Sequence, residues 1–219
     1  MTVSLYAHPF SLYCQKVLIA LYETGTEFTF RFLGDADPTA SAELAELWPI
    51  RRFPVLVDGE RTILESSVII EHVDLRHGGP NRLVPADPDA ALEARMLDRV
   101  FDNYVSSPVQ AIVFDSIRPE DSRDPYGVDR ARDLLEAAYG WLDARMADRE
   151  WAAGGRFGFA DCAAAPALFY ADWVQPFAER FPALHAYRSR LLARPSFARA
   201  VDEARPYRHL FPLGAPDRD

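Results

Sequence analysis

The chain has 219 residues, of which 49% are apolar and 26% charged, with a formal net charge of −9; that is enough apolar material for a buried core and a length that suits one large or two modest domains. Arg is scattered among Asp and Glu rather than gathered into a basic stripe, which argues against a nucleic-acid groove. With only Cys14 and Cys162 a disulfide framework is not expected, and a reducing cytoplasm fits best.

Val3 to Tyr6, with Thr2 before it, is short and β-rich and reads as a strand. His8-Pro9-Phe10-Ser11 turns the chain, after which Cys14, Val17, Leu18 and Leu21 recur at helical spacing up to Gly25, a helix stop. Phe28 to Phe32 alternates as a strand does. Asp37-Pro38 opens a short helix to about Leu47; Pro54–Val57 and Thr62–Leu64 flank Asp58-Gly59 as a hairpin. Ser66 or Ser67 is expected to cap the next helix, with Ile69, Ile70 and Val73 inward. The order β-α-β-α-β-β-α predicts an α/β domain over residues 1–78 with a four-stranded mixed sheet. The Gly- and Pro-dense stretch 79–88 reads as a linker.

Residues 89–219 lose the strand pattern and read as an all-helical bundle. A long helix is expected from Ala91 to about Ser116, with Leu92, Met96, Val100 and Tyr104 four apart. A second runs from Gly127 to Ala147, carrying Ala131, Leu134, Leu135, Ala138 and Leu142 on one face. Asp161 to Val174 is Ala-rich and nearly uncharged, so it is predicted to be buried on all sides; shorter helices follow near 183–193 and 196–203. No stretch approaches the roughly 18 apolar residues that span a membrane, and Met1–Phe10 lacks the basic start of a signal peptide.

Three helix or strand starts offer chemistry. Ser11 sits at the head of the first helix, where unpaired amides and a partial positive charge stabilise a thiolate. It is either a plain cap or a donor to such an anion, and Cys14, one turn on, is either that thiolate or a small core residue. Arg51-Arg52-Phe53-Pro54 precedes a strand, and Pro54 is a candidate cis bond whose neighbour's backbone is free for a peptide-like ligand. Glu65-Ser66 opens a helix directly after a strand; together they can grip an ammonium and a carboxylate, or simply cap. Gly158 and Asp161 form a capping box of structural role. His72 and His77 are five apart and are not expected to share a helix face, so no metal is expected. Arg205-Pro206-Tyr207-Arg208-His209 reads as a tail packed on the body or as a lid.

Ser-x-x-Cys at residue 11, Pro-Val-Leu at 54, Glu-Ser at 65 and Gly-x-x-Asp at 158, with Lys16–Leu21 between, together resemble the glutathione transferase superfamily over residues 2–205. The resemblance implies a thioredoxin-like front domain that binds glutathione as co-substrate, and an all-helical back domain supplying the pocket for a hydrophobic electrophile. By its serine-type classes, Ser11 is the catalytic residue that holds the glutathione sulfur. Tyr6, where tyrosine-type classes keep their hydroxyl, and Cys14, where a second Cys of Cys-x-x-Cys falls, are the alternatives. Pro54 maps to the cis-proline, Phe53 to the backbone that pairs with the cysteinyl unit, Glu65 and Ser66 to the γ-glutamyl grip, and Arg52 to the glycine carboxylate. Phe101, Tyr104 and Phe114 are candidate liners of the electrophile pocket. A homodimer is implied, as are conjugation or a related isomerase, dehalogenase or peroxidase reaction. The other readings are a non-catalytic scaffold or regulator of the same fold, and a thiol oxidoreductase using Cys14. Trp48-Pro49-Ile50-Arg51 departs from the family's Asn-Pro-x-Gly, and Gly158 from its usual Ser or Thr cap.

Overall fold

The computed structural model describes residues 3–34, 37–80 and 82–219. Thr2, read as part of the first strand, and Asn81, within the expected linker, lie outside the described residues.

The front of the chain runs β1 (Val3–Ala7), α1 (Leu12–Thr24), β2 (Phe28–Phe32), α2 (Pro38–Leu47), β3 (Val55–Asp58), β4 (Arg61–Ile63) and α3 (Ser66–His77). The strands form one mixed sheet in the order β2-β1-β3-β4. β1 pairs parallel to β2 from Val3↔Phe28 to Ala7↔Phe32 and antiparallel to β3 from Val3↔Asp58 to Tyr6↔Val55. Alternation along β1 sorts its side chains to two faces. Val3, Leu5 and Ala7 join the main core with α1 and α3, whereas Tyr6 joins a smaller cluster with Leu33, Ala40, Leu44 and Val55 under α2. The sheet is therefore covered on both faces, as the thioredoxin-like layout requires.

The rest is helical: α4 (Pro88–Val100), α5 (Ser107–Ser116), α6 (Pro125–Met146), α7 (Phe159–Val174), α8 (Pro182–Leu192) and α9 (Pro195–Ala204). Asp37, Asp87 and Asp124 each accept a backbone N–H at a helix start followed by proline. Gly25 ends α1 with φ 66°, a left-handed turn that costs glycine nothing. The long helix read from Ala91 to Ser116 is α4 and α5 joined by a π-helical turn over Phe101–Ser106. Ala91, Ala94, Leu97 and Phe101 face the core, while of the stripe read from the sequence Leu92, Met96 and Tyr104 stand exposed and Val100 is half-buried against the core. α7 is buried on nearly every side, as its composition requires, and α1 packs between it and α3.

α3 ends at His77 and α4 starts at Pro88, and the segment between is fastened at both sides. The buried Asp74 carboxylate accepts Leu83 N–H at 2.5 Å and Arg82 Nε–H at 2.8 Å. The Leu83 carbonyl accepts Phe159 N–H at 3.0 Å. A cation inside the core makes a further tie. Lys16 of α1, 1% exposed, reaches Asp98 at 2.5 Å, Asp102 at 2.9 Å and the Ser67 hydroxyl at 2.9 Å.

Candidate active site

β1 delivers the chain through His8-Pro9-Phe10 to Ser11, which caps α1 in an extended conformation. The Ser11 hydroxyl makes no capping bond, and the first turn of α1 holds no acidic residue. The amide end of α1 thus keeps its partial positive charge at the surface where Ser11 sits.

Ser11 lines a cleft of about 680 Å³ with Arg51, Arg52, Phe53, Pro54, Glu65 and Ser66. These residues come from three chain regions and meet because β1 and β3 are neighbours and α3 follows β4 directly. The Phe53–Pro54 peptide is cis. Glu65 is the residue that caps α3, one position before the serines expected there, and its carboxylate makes no capping bond. Arg51 and Glu65 are the non-glycine residues with positive φ among the described residues, at 57° and 65°, and both line this cleft. Such conformations cost about 1–3 kcal/mol each and gather where a ligand needs the backbone shaped. Arg51 stands where the resemblance has glycine, so the turn is kept without the residue that favours it.

From the helical half the cleft takes Arg99, Asp102, Asn103, Gln110 and Phe114. Gln110 and Phe114 also line an adjoining groove of about 230 Å³ with Phe10, Val113, Ile117 and Leu210. The cleft is thus polar at the sheet end and apolar beyond Phe114. Arg99 binds Asp98 Oδ2 at 2.7 Å and also bonds Asp102. Burial lowers the pKa of its guanidinium, but these carboxylates outweigh that and leave it raised. Tyr13, another lining residue, has its phenol raised by burial and then by Asp102. Arg99, Asn103 and Gln110 carry no signature in the sequence, because spacing along a helix does not say which of its stripes faces the cleft.

Four expected residues fall elsewhere. Phe101, read as a pocket liner, is closed in the core with 0% exposure. Tyr104 stands on the outer surface, and Phe114 alone of the three aromatics lines the cleft. Tyr6 points to the α2 side, donating its hydroxyl to Glu43 Oε2 at 2.8 Å, and burial followed by Glu43 raises its pKa. Cys14 is wholly buried beside Val17 and Leu18, and burial pushes its thiol up to about 12 against opposing contributions from Ser11 and His8. A sulfur with 0% exposure is closed off from the cleft, which weighs against a Cys14 oxidoreductase. The tail forms a 3₁₀ turn (Arg205–Leu210) whose Tyr207 ring meets His8 and Phe32 outside the cleft.

Residues 5–81 match the family model for the glutathione S-transferase N-terminal domain, and residues 107–195 that for the C-terminal domain. A glutathione S-transferase of Methylobacterium radiotolerans, solved in complex with glutathione sulfonate, superposes with a TM-score of 0.80 at 31% identity, over 92% of this chain and 95% of its own. A probable glutathione S-transferase of Glycine max is 28% identical over 191 residues, 82% of this chain and 79% of its own. A stringent starvation protein A homolog of Coxiella burnetii is 27% identical over 207 residues, 92% of each chain.

Proposed function

Because the chain belongs to the glutathione S-transferase family, we propose that it activates the glutathione thiol as a thiolate for attack on a hydrophobic electrophile. The observation that carries this reading is the single cleft in which Ser11, Phe53-Pro54 and Glu65-Ser66 meet and which continues past Phe114 into an apolar groove.

In this reading Ser11 donates its hydroxyl hydrogen bond to the sulfur at the amide end of α1. A free thiol with a pKa of about 8.5 is only a few per cent ionised at pH 7. A donor and a helix N-terminus that lower it by about 2 units supply roughly 2.7 kcal/mol of differential stabilisation and make most of the bound thiol anionic. Phe53 offers its backbone to the cysteinyl unit. Ser66 and the first amides of α3 take the γ-glutamyl carboxylate, Glu65 takes its ammonium, and Arg52 takes the glycine carboxylate. Arg51 adds a second cation at that end of the cleft. The electrophile lies against Phe114 and the groove of Phe10, Val113 and Ile117.

A second copy of the chain is the partner this reading expects. Glu71 of α3 and Arg95 of α4 pair at 2.8 Å across the two helices. Leu75 and Val68 on one, and Leu92 and Met96 on the other, are 46–67% exposed. Such a surface suits a homodimer. Among the described residues no helix is long and apolar enough to cross a membrane. The cytoplasm is the compartment this reading expects, on the two unpaired cysteines Cys14 and Cys162.

The test is calorimetric titration with reduced glutathione, together with the ultraviolet absorbance of the bound thiolate and turnover of an activated aryl halide. Wild type and Ser11→Ala are expected to bind glutathione alike, while the variant loses the thiolate absorbance and about 100-fold or more in kcat/KM, the cost of removing one aimed donor. No heat from wild type at millimolar glutathione would overturn the transferase reading and favour the non-catalytic scaffold. That role is in keeping with a relative named for stringent starvation rather than for transfer.

A further inference from the structure

At the far end of β3 and α3, away from the cleft, three metal-ligating side chains meet. Asp58 ends β3, His72 lies in the last turns of α3, and His77 is its final residue. His72 Nε2 and His77 Nε2 each approach Asp58 Oδ2 at 2.9 Å. All three donor atoms lie within 4.8 Å of one another. Five residues of helix do not by themselves bring two imidazoles together. They meet because the carboxylate reaches up from the strand between them and because His77, at the helix end, turns its ring back, with the two ring centroids 6.2 Å apart.

We propose that Asp58, His72 and His77 form a site for a divalent transition-metal ion of the zinc class. Two imidazole nitrogens and one carboxylate oxygen are the donor set that borderline cations take. Bonds of about 2.0–2.2 Å to each donor need the two imidazole nitrogens to draw back from their 2.9 Å contacts with Asp58 so that the ion lies among the three. The side chains of His72, His77 and Asp58 are 12%, 28% and 14% exposed, so the donors are held by their surroundings while one side remains open to water for the further ligands. No Lys or Arg pairs with Asp58 among the described residues. Its only ion-pair partners among the described residues are the two imidazoles, and a dication set among the three donors meets its charge directly. The ion would pin the end of β3 to the end of α3, just before the segment that leads into α4, and would stiffen the sheet end remote from glutathione. The site does not depend on the transferase reading, since none of its three residues lines the cleft.

The experiment is titration of the full chain, free of any histidine tag and first stripped with chelator, with cobalt(II) followed by its visible d–d absorption and with zinc(II) by calorimetry. Thermal unfolding with and without zinc(II) accompanies both. One ion per chain is expected, with a rise in Tm on zinc addition. His72→Gln with His77→Gln should weaken binding about tenfold or more and abolish the Tm rise, leaving glutathione binding unchanged. Should the double variant fail to fold, His77→Gln alone, at the helix end, decides the matter by the same loss. Absence of saturable binding in wild type overturns the proposal, as does binding of wild-type affinity in these variants.

Discussion

Gly158 shows what a single residue of this chain answers to. Its φ is −158°, an extended conformation open to any residue, so the left-handed argument for glycine does not apply. A Cβ there would lie 2.7 Å from the Leu83 carbonyl oxygen, a backbone atom that Phe159 N–H already holds at 3.0 Å. The absence of the family's Ser or Thr cap follows from this contact. The capping bond runs the other way, from Gly158 N–H to Asp161 Oδ2 at 2.9 Å. Gly158→Ala is expected to push α7 away from the inter-helical segment and to lower stability by about 2 kcal/mol, within the usual range for overpacking; urea unfolding followed by circular dichroism measures it. The capping box itself was legible in the spacing of Gly158 and Asp161. The close approach of Leu83 was not, because the two residues are far apart in sequence.

At the scale of elements, the Lys16 cluster binds α1, α3 and the α4 end together. Resemblance marked the stretch from Lys16 to Leu21 as part of the first helix, but nothing in it assigned the lysine a partner. The structure puts it between Asp98 and Asp102, with Ser67 completing its donors. Burial raises Asp102, and Lys16 is the largest influence opposing that rise. Lys16→Met keeps the length of the side chain and leaves the two buried acids with the half-exposed Arg99 as their remaining cation. It is expected to cost about 3–5 kcal/mol, a large share of the total for a chain of this kind, visible as a fall in thermal midpoint. Helix periodicity alone cannot reveal such a cluster, since it reports that a stripe exists and not what the stripe faces. The same limit made Leu92, Met96 and Tyr104 read as one helical stripe without showing that it lies outward.

For the whole molecule, stability should pass through a maximum in mildly acidic solution. Burial pushes the Asp161 carboxyl up to about 6, opposed by bonds from Ala152, Tyr187 and Gly158. The folded state therefore binds that proton more tightly than the unfolded chain, whose Asp titrates at about 3.9. Its contribution is complete below the ordinary carboxylate range and is lost as pH rises through about 6. Asp102, raised chiefly by burial, acts in the same direction. Glu23 acts in the opposite one. Burial raises it, but bonds from Arg194 at 2.6 Å and from Ser196 outweigh this and leave it lowered, so its contribution is present at neutral pH and lost in acid below the ordinary range. The thermal midpoint is expected to rise between pH 7.5 and roughly pH 5 and to fall again below roughly pH 4. Asp161→Asn should flatten the rise, because the titrating group is gone.

The sequence by itself determined what depends on neighbours along the chain. It set the β-α-β-α-β-β-α order and the helical second half, since alternation and helical spacing are local properties of apolar residues. It also set the Gly25 stop, the Asp37-Pro38 helix start and the buried run of α7. It brought Ser11, Phe53-Pro54 and Glu65-Ser66 forward as candidates because each stands where a strand hands over to a turn or a helix. Tertiary structure decided which of the candidates share a cleft. It turned Tyr6 to the α2 side, closed Cys14 and Phe101 in the core, and carried Arg99, Asn103 and Gln110 to the cleft wall. It also brought His72 and His77 together on Asp58 against the expectation from their spacing. In each case the deciding contact joins residues distant in sequence, and such contacts are set by how the layers pack and not by any pattern that one segment carries alone.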